Sequence, residues 1–327
     1  MMDLKPVVPV SAILPTRNRA RILERFFESL ILQDVLPAEV VICDSSEDGE
    51  TLFVVEQFQR DHGLKMSIVY QKAKRTGLAP QRNQAVATSA QPFTWFLDDD
   101  MILEPSCLRQ LYEAVDSSAK IGGVTATLVN EAYHPPGRMT QRLMKFFENG
   151  MVRSTYASTC IGPGWTFLHD ANPDGSALMP AEWLGGGCTL YRRTALPEPA
   201  VPDHFEAGAL GEDLAASLTV GHAWEMYHVR AARAVHDSQG GDHKRSFIKH
   251  ADQTLRNRYF IMTRVMGKDT FRDMLNLAVM QTFILMSQLI HIRTWRRAGC
   301  MCIGWGLAIY KMATQPAPPA RWPVVSA

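Results

Sequence analysis

The sequence lacks the short motifs that would assign a nucleotide-binding sheet to its most familiar enzyme classes. No G-x-G-x-x-G follows the first predicted strand, and no G-x-x-x-x-G-K-[ST] occurs anywhere in the 327 residues. The first absence argues against a dinucleotide-dependent oxidoreductase, and the second argues against a P-loop NTPase.

The chain also has few cysteines and almost no net charge. Six cysteines are scattered along the chain without a C-x-x-C pair, which predicts reduced thiols in a cytoplasmic protein. The formal net charge is +1, so no bulk attraction favours nucleic acid, and we expect none as a partner. The first residues show no signal-peptide core, and low complexity is confined to the Pro/Ala-rich tail after Ala313.

What the chain does contain is a regular alternation of apolar strands and helical periods. Apolar strands that end in polar residues and alternate with helices are typical of an α/β fold with a parallel sheet, whose default ligand is a nucleotide. The first five predicted strands span residues 7–14, 39–44, 66–70, 93–97 and 121–129.

The later part of the chain is predicted to be less regular and then helical. A glycine-rich turn at 182–193 leads into a strand, and another strand spans 225–235. Helices are predicted near 139–147, from 210, and at 247–266, 271–292 and 300–312.

The most informative stretch is F-T-W-F-L-D-D-D at residues 93–100, where a buried strand runs into three carboxylates. Unpaired, these carboxylates would repel one another, and a divalent cation would relieve the repulsion. On an extended backbone Asp98 and Asp100 would point the same way and Asp99 away, which suits Mg²⁺ or Mn²⁺. The alternative is an acidic strand-to-helix turn with an N-cap, because Glu104-Pro105-Ser106 soon begins a helix. These eight residues alone leave both interpretations open.

The order of seven short motifs resembles the family 2 inverting glycosyltransferases of the GT-A fold, which use nucleotide-diphosphate-sugar donors. The motifs cover roughly residues 8 to 240 and are Leu14-Pro15-Thr16-Arg17-Asn18-Arg19, Asp44-Ser45-Ser46, Arg82-Asn83, Asp98-Asp99-Asp100, Trp183-Leu184-Gly185-Gly186-Gly187, Glu212-Asp213 and His236. The second motif departs from the family's frequent Asp-Asn-x-Ser-x-Asp, although Asp44 remains.

This resemblance implies a fold, an activity and a domain plan. The fold would be a GT-A, Rossmann-like, mostly parallel sheet flanked by helices, with a C-terminal helical extension. The activity would be metal-dependent, inverting transfer of a hexose from a nucleotide-diphosphate donor, expected to be UDP-linked, to a glycan or lipid-linked acceptor in polysaccharide or cell-envelope biosynthesis. The expected cofactor is Mn²⁺ or Mg²⁺. Residues 1–130 would bind the nucleotide sugar, 131–245 would bind acceptor and catalyse, and 246–327 would form the extension.

The resemblance also implies roles for individual carboxylates and for one histidine. Asp213 is the expected general base, and Glu212 is a less favoured base or an acceptor contact. Because acidic residues are common at helix starts, a structural role is the alternative for both. Asp100, Asp98 and His236 are the expected metal ligands, and a satisfied surface histidine is the alternative for His236.

Donor and acceptor contacts complete the implied site. Arg82 is placed to reach the donor or its diphosphate, and a solvated helix arginine is the alternative. Trp183 suits sugar binding because an indole face stacks on pyranose C–H groups, and glycine permits close backbone approach; a core tryptophan beside a tight turn is the alternative. The implied donor contacts are Pro15, Thr16, Arg17, Asn18, Arg19, Asp44, Arg82, Asp98 and Asp99, and the implied acceptor contacts are Trp183, Gly185 and Gly186.

The C-terminal helices raise the question of a membrane. Residues 274–292 contain no charged side chain but are interrupted by polar ones, and Arg293, Trp295, Arg296 and Arg297 follow. A helical hairpin packed on the catalytic domain is the favoured interpretation, with interfacial attachment and true spanning as alternatives. We expect a cytoplasmic protein, or one peripheral on the cytoplasmic face of the membrane.

Two other functions compete with a glycosyltransferase. A sugar-nucleotide pyrophosphorylase would need a Gly-x-Gly-Thr-Arg-Leu-type loop after the first strand, and Pro15-Thr16-Arg17-Asn18 is not one. A non-catalytic nucleotide- or glycan-binding module is the other, and the retention of Asp98, Asp100, Asp213 and His236 together argues against it.

Overall fold

The computed structural model describes residues 5–62, 65–131, 133–172, 175–205, 210–238 and 246–314. The predicted Pro/Ala tail beyond Thr314 and the first four residues lie outside this described part. The chain divides into two compact units. The first contains Met1–Tyr133 and Leu168–Ser238, and the second contains His134–Phe167 and Gln239–Trp322.

The first unit is built on a nine-stranded sheet. The strands of the chain, including the β7–β8 hairpin of the second unit, are β1 (Val7–Thr16), β2 (Leu36–Asp44), β3 (Ser67–Lys72), β4 (Phe93–Leu97), β5 (Met101–Leu103), β6 (Ile121–Leu128), β7 (Cys160–Ile161), β8 (Trp165–Thr166), β9 (Leu178–Pro180), β10 (Cys188–Arg192) and β11 (Glu225–His236). The sheet order is β3-β2-β1-β4-β10-β6-β11-β5, and β9 also pairs with β11.

Most strands of this sheet run in the same direction. Strands β1, β2, β3, β4, β6 and β11 are parallel, whereas β5, β9 and β10 run against them. Thr16 pairs with Asp44 and Ile13 with Phe96, so the carboxyl ends of β1, β2 and β4 meet at one edge. The mostly parallel sheet is confirmed, and its carboxyl edge is where such sheets bind ligands.

Helices cover the sheet and form most of the second unit. They are α1 (Ala20–Ile31), α2 (Glu50–His62), α3 (Leu78–Thr88), α4 (Cys107–Asp116), α5 (Arg138–Phe147), α6 (Glu212–Val220), α7 (Phe247–Phe260), α8 (Phe271–Leu289) and α9 (Trp295–Thr314). The predicted C-terminal helices are therefore present, with α9 beginning earlier than the sequence indicated.

The sheet has a hydrophobic core on each face, which explains why its strands are apolar along their whole length. Within β4, Trp95 and Leu97 pack into one cluster, while Phe96 packs into the other. This alternation follows from the two-residue period of a strand. The last apolar residue of β4, Leu97, is therefore where the buried strand ends and the polar turn begins.

Two short strands of the main sheet, β5 and β9, were not predicted, and β5 matters for the site. Strand β5 follows the three aspartates directly and pairs antiparallel with β11, so that Met101 lies opposite His236. Three residues are too few to show a periodic pattern. This pairing joins the acidic turn to the end of β11, more than a hundred residues later in the chain.

The second unit contains a helical packing centred on α7 and α9. Its buried cluster includes Leu255, Met262, Leu277 and Met280. Within the described part of the chain no single helix is both long and apolar enough to cross a membrane. Helix α8 and the segment Ile292–Thr314 pass that test only as a pair, by length and composition, and are bent by 119°.

Candidate active site

The three aspartates occupy a turn rather than an extended segment. The Met101 backbone N–H donates to the Asp98 carbonyl oxygen at 3.3 Å, and the Asp98 N–H donates to the Gly187 carbonyl at 3.0 Å. The predicted alternation of the three side chains is therefore wrong, because the chain reverses after Leu97. The capping interpretation is wrong as well, since β5 intervenes and Ser106 is the N-cap of α4.

Asp99 is held inside the protein by the end of β1. Its carboxylate accepts hydrogen bonds from Thr16 Oγ1 at 2.6 Å and from Arg19 Nη1 at 2.8 Å. Burial raises the pKa of Asp99 to about 6, although Arg19 and Thr16 act in the opposite direction. Asp99 therefore ties the first motif to the acidic turn.

Asp100 faces His236 across the β5–β11 pairing. His236 Nε2 lies 3.4 Å from Asp100 Oδ1, and His236 Nδ1 lies 2.6 Å from Glu131 Oε1. Hydrogen bonds to Asp100 and Glu131 raise the pKa of His236 to about 10. The Asp237 N–H donates to the Asp100 carbonyl at 2.9 Å and fixes the two segments in register.

The described residues contain no group of three or more His, Cys, Asp or Glu side chains arranged to hold a metal. Asp100 and His236 still suit a metal ion, because Mg²⁺ and Mn²⁺ commonly bind few protein ligands and complete their coordination with substrate phosphates. The raised pKa means that both ring nitrogens of His236 carry a proton near pH 7, with Nδ1–H directed at Glu131 and Nε2–H at Asp100. A cation between Nε2 and Asp100 would replace the Nε2 proton, and an outer carboxylate such as Glu131 orients metal-binding histidines. Asp100 and His236 fit a metal ligand pair, and the sequence did not indicate Glu131.

Arg82 is a buried bridge between three segments. Its side chain is 1% exposed, and Nη2 donates to Asp98 Oδ1 at 2.8 Å and to the Gly186 carbonyl at 2.7 Å. Nη1 donates to Glu212 Oε1 at 3.1 Å. The alternative of a solvated helix arginine is therefore wrong. Through Arg82 the acidic turn, the glycine-rich turn and the start of α6 form a single site.

Glu212 and Asp213 lie side by side at the start of α6 but in different surroundings. Glu212 is buried, and its Oε2 has no hydrogen-bond partner among the described residues. Asp213 Oδ2 accepts from Trp183 Nε1 at 3.0 Å and from the Gly186 N–H at 3.3 Å, and its Oδ1 accepts from the Leu214 N–H. Burial raises the pKa of both carboxyls, that of Glu212 to about 8.

The raised pKa of Glu212 predicts how stability depends on pH. The folded state binds the Glu212 proton more tightly than the unfolded chain does. The stability that this proton contributes is therefore fully present below pH 4.5 and is lost as pH rises through about 8. The free energy of unfolding is expected to fall across that window, by at most about 1.4 kcal/mol per pH unit from this group. Urea unfolding of Glu212→Gln should show a flatter dependence, and equal slopes in both proteins would contradict the assignment.

The indole of Trp183 is oriented by a stack of rings that the sequence did not indicate. Trp183 and His169 have ring centroids 5.5 Å apart, and His169 stacks on His228 at 4.8 Å. Burial lowers the pKa of His169 to about 3 and that of His228 to about 4, so both are neutral near pH 7. One indole face is taken by His169 and the indole N–H by Asp213, and the Trp183 side chain is partly exposed.

Gly186 is required by this packing, whereas Gly185 has more room. A Cβ on Gly186 would lie 2.9 Å from Arg82 Nη1 and 3.2 Å from Asp213 Cβ. On Gly185 the nearest atom would be 3.9 Å away. The glycine-rich turn therefore lets the chain pass close to Arg82 and Asp213.

The first two motifs meet at the carboxyl edge of the sheet. Pro15 and Thr16 are buried at the end of β1, whereas Arg17 and Asn18 are exposed beyond it. The Asn18 N–H donates to Ser46 Oγ at 2.7 Å. Asp44 is fully buried and accepts from the Ser46 N–H at 2.8 Å and from Tyr70 Oη at 2.9 Å. In this conformation Asp44 shapes its own loop.

Comparison with known proteins agrees with this architecture. The family model described as Glycosyl transferase family 2 matches residues 11–175. The chain is 27% identical over 107 residues to a processive diacylglycerol beta-glycosyltransferase of Mycoplasma pneumoniae, covering 32% of this chain and 31% of that protein. It is 30% identical over 104 residues to a GalNAc(5)-diNAcBac-PP-undecaprenol beta-1,3-glucosyltransferase of Campylobacter jejuni, covering 32% and 33%. The matched stretch is thus about a third of each relative.

The fold comparison covers nearly the whole chain. A Pyrobaculum calidifontis mannosyltransferase, solved in complex with GDP-Man and Mn²⁺, superposes with a TM-score of 0.53 over 97% of this chain and 79% of its own, at 15% identity. This likeness shows the GT-A fold that the sequence predicted.

Proposed function

The chain belongs to glycosyl transferase family 2, and on that premise we propose that it is a metal-dependent, inverting glycosyltransferase using a nucleoside-diphosphate sugar. The observation that carries the proposal is the bridge made by Arg82. One buried guanidinium contacts Asp98, Gly186 and Glu212, so residues suited to a diphosphate and residues suited to an acceptor hydroxyl share one site.

The donor is proposed to lie at the carboxyl edge of β1, β2 and β4. Exposed Arg17 and Asn18 and the loop shaped by Asp44 line this edge, and Arg19 lies beside Asp99 and Asp100. Asp100 and His236 would hold Mn²⁺ or Mg²⁺, with Asp98 as the nearest further carboxylate. When bound, the ion would neutralise charge that develops on the leaving diphosphate.

Asp213 is proposed to act as general base. Its raised pKa and its place beside Trp183 suit it to accept the proton of an acceptor hydroxyl. As that hydroxyl oxygen bonds to the anomeric carbon, the bond from this carbon to the diphosphate breaks, and the nucleoside diphosphate leaves. Attack from the face opposite the leaving group inverts the anomeric configuration.

The acceptor is proposed to be a glycan or a lipid-linked glycan in cell-envelope synthesis. Two matched relatives are named for diacylglycerol and for an undecaprenol-linked glycan. The partly exposed indole of Trp183 suits a pyranose of such an acceptor. A UDP-linked hexose is the proposed donor, and the cytoplasmic face of a membrane is the proposed place of reaction.

A donor screen tests this function. The purified protein is incubated with Mn²⁺ and individual UDP- and GDP-linked hexoses, and release of nucleoside diphosphate is measured. We expect slow hydrolysis of one donor even without acceptor. Pyrophosphate release from a nucleoside triphosphate and a sugar 1-phosphate would instead identify a pyrophosphorylase, and binding of donors without any turnover would identify a non-catalytic module.

A further inference from the structure

Large apolar side chains are exposed mainly on the second unit. Among the described residues, five such side chains lie on the first unit, and they are Val7, Leu32, Leu52, Phe53 and Val69. The other sixteen lie on the second, smaller unit. Isolated exposed apolar residues are ordinary, but a concentration of them marks an interaction surface.

Helix α9 buries small residues and exposes several large apolar ones. It buries small residues, Ala298, Gly304 and Ala308, and exposes Ile303 and Leu307. A Cβ on Gly304 would lie 2.5 Å from the Ile248 carbonyl oxygen, so the small face packs closely on α7. Trp305 and Met312 pack against the buried cluster of this unit, whereas Ile303, Leu307 and Tyr310 are exposed and follow the spacing of one helix face.

Helix α8 shows a similar outer face. Leu275, Met286 and Leu289 are exposed at spacings that bring them to one side of the helix, and Phe271 at its start is 86% exposed. The connection to α9 adds Ile290 and Ile292, and α9 begins with Trp295; these three residues are exposed by 74%, 75% and 56%. Exposed apolar residues therefore follow one another along the chain from α8 through the connection into α9.

Basic side chains accompany this apolar surface. Residues 271–314 contain five Lys or Arg and a single acidic residue, Asp273, whose carboxylate accepts from Thr270 at the N-cap of α8. The five are Arg272, Arg293, Arg296, Arg297 and Lys311, of which Lys311 pairs with Asp252 and Arg297 lies over the ring of Phe247.

Helix α5 has the same character and lies next to the start of α8. It exposes Met139 and Phe146, carries Arg138, Arg142 and Lys145, and contains no acidic residue. Arg272 Nη2 donates to Asn149 Oδ1 at 2.6 Å, which joins the end of α5 to α8.

We propose that these exposed faces of α5, α8 and α9 form a lipid-docking surface for an anionic bilayer. The apolar side chains would enter the boundary between headgroups and acyl chains, and the arginines would pair with lipid phosphates. Basic charge with exposed apolar side chains fits this occupant better than a second copy, whose identical surface would bring like charges together. No residue of the candidate active site belongs to this surface.

Vesicle co-sedimentation tests the proposal with the full chain and without donor or acceptor, so its outcome is independent of catalysis. The vesicles contain either equal parts of phosphatidylcholine and phosphatidylglycerol or phosphatidylcholine alone. We expect the anionic vesicles to bind at least about tenfold more tightly, with binding weakened by salt. Equal binding to both vesicles, or to neither, would overturn the proposal.

Substitutions of exposed residues locate the surface. Ile303→Ser with Leu307→Ser is expected to weaken binding to anionic vesicles at least about tenfold. Arg293→Glu with Arg296→Glu should weaken it to a comparable degree. Leu52→Ser with Phe53→Ser, a matched exposed apolar pair on α2, should leave it unchanged. Loss of vesicle binding in this control variant alone would overturn the assignment. A wild-type protein that does not bind vesicles but sediments as a dimer, which the α9 substitutions dissociate, would also overturn it.

Discussion

Asp213→Asn is expected to lower kcat for sugar transfer by about a thousandfold, within the range that a positioned general base contributes. The amide keeps nearly the same volume but cannot take the proton of the acceptor hydroxyl. Because Asp213 contacts Trp183 and Gly186 and no donor-side carboxylate, the affinity for nucleoside diphosphate should stay nearly the same. Steady-state kinetics and calorimetric titration measure the two quantities.

The matched change at the adjacent carboxylate distinguishes the two candidate bases. Glu212→Gln leaves Asp213 in place and is expected to lower kcat far less, because Glu212 is buried against Arg82. If Glu212→Gln removes activity and Asp213→Asn retains it, the roles are reversed. Thermal unfolding of both variants shows whether the loss of activity comes from loss of structure.

Above about pH 8, where Glu212 is ionised, Arg82→Met is expected to lower the free energy of unfolding by about 3–5 kcal/mol, the usual consequence of removing one partner of a buried ion pair. The substitution leaves Glu212 buried without a cation and removes the donor to the Gly186 carbonyl. Urea unfolding measures the change. Activity should fall as well, since Arg82 holds the acidic turn against the start of α6.

A second substitution separates the charge effect from the loss of volume. Arg82→Met combined with Glu212→Gln should recover part of the lost stability, because no charged Glu212 then remains. Arg233→Met, at a partly exposed ion pair with Glu104, provides the control and should have a much smaller effect. Additive losses in the double variant would show that Arg82 and Glu212 do not interact energetically.

The main elements of the fold followed from the sequence because their patterns are local. The strand at Phe93–Leu97 is fully buried and apolar, and the strand–helix alternation around it leaves few arrangements other than a covered parallel sheet. The boundaries moved by a few residues where propensity alone does not fix an end, as at the early start of α9.

The details of the site depended on contacts between distant parts of the chain. The three aspartates were expected on an extended backbone, but β5 pairs with β11 and bends the chain at that point. Arg82 carries no local sign that its helix position is buried, and its partners lie 16 to 130 residues away. Glu131 and His169 were missed for the same reason, since their roles come from His236 and Trp183.

The family resemblance implied the roles of metal ligand and general base, and the structure shows the contacts of the residues expected to have them. Asp100 lies opposite His236, whose ring Glu131 orients, and Asp213 lies beside Trp183, whose ring His169 orients. These two pairs are the proposed metal and base positions, and Arg82 links the segments that carry them.

The most direct test of the account is calorimetric titration of UDP, and of GDP in parallel, into the wild-type protein and Asp100→Asn. With Mn²⁺ present, the wild-type protein is expected to bind one of the two nucleotides. Replacing Mn²⁺ by EDTA, or Asp100 by Asn, should weaken this binding at least about tenfold, as changes at metal ligands and their partners do. A wild-type isotherm that is the same with Mn²⁺ and with EDTA, and unchanged in Asp100→Asn, would contradict a metal–diphosphate site at the end of β4.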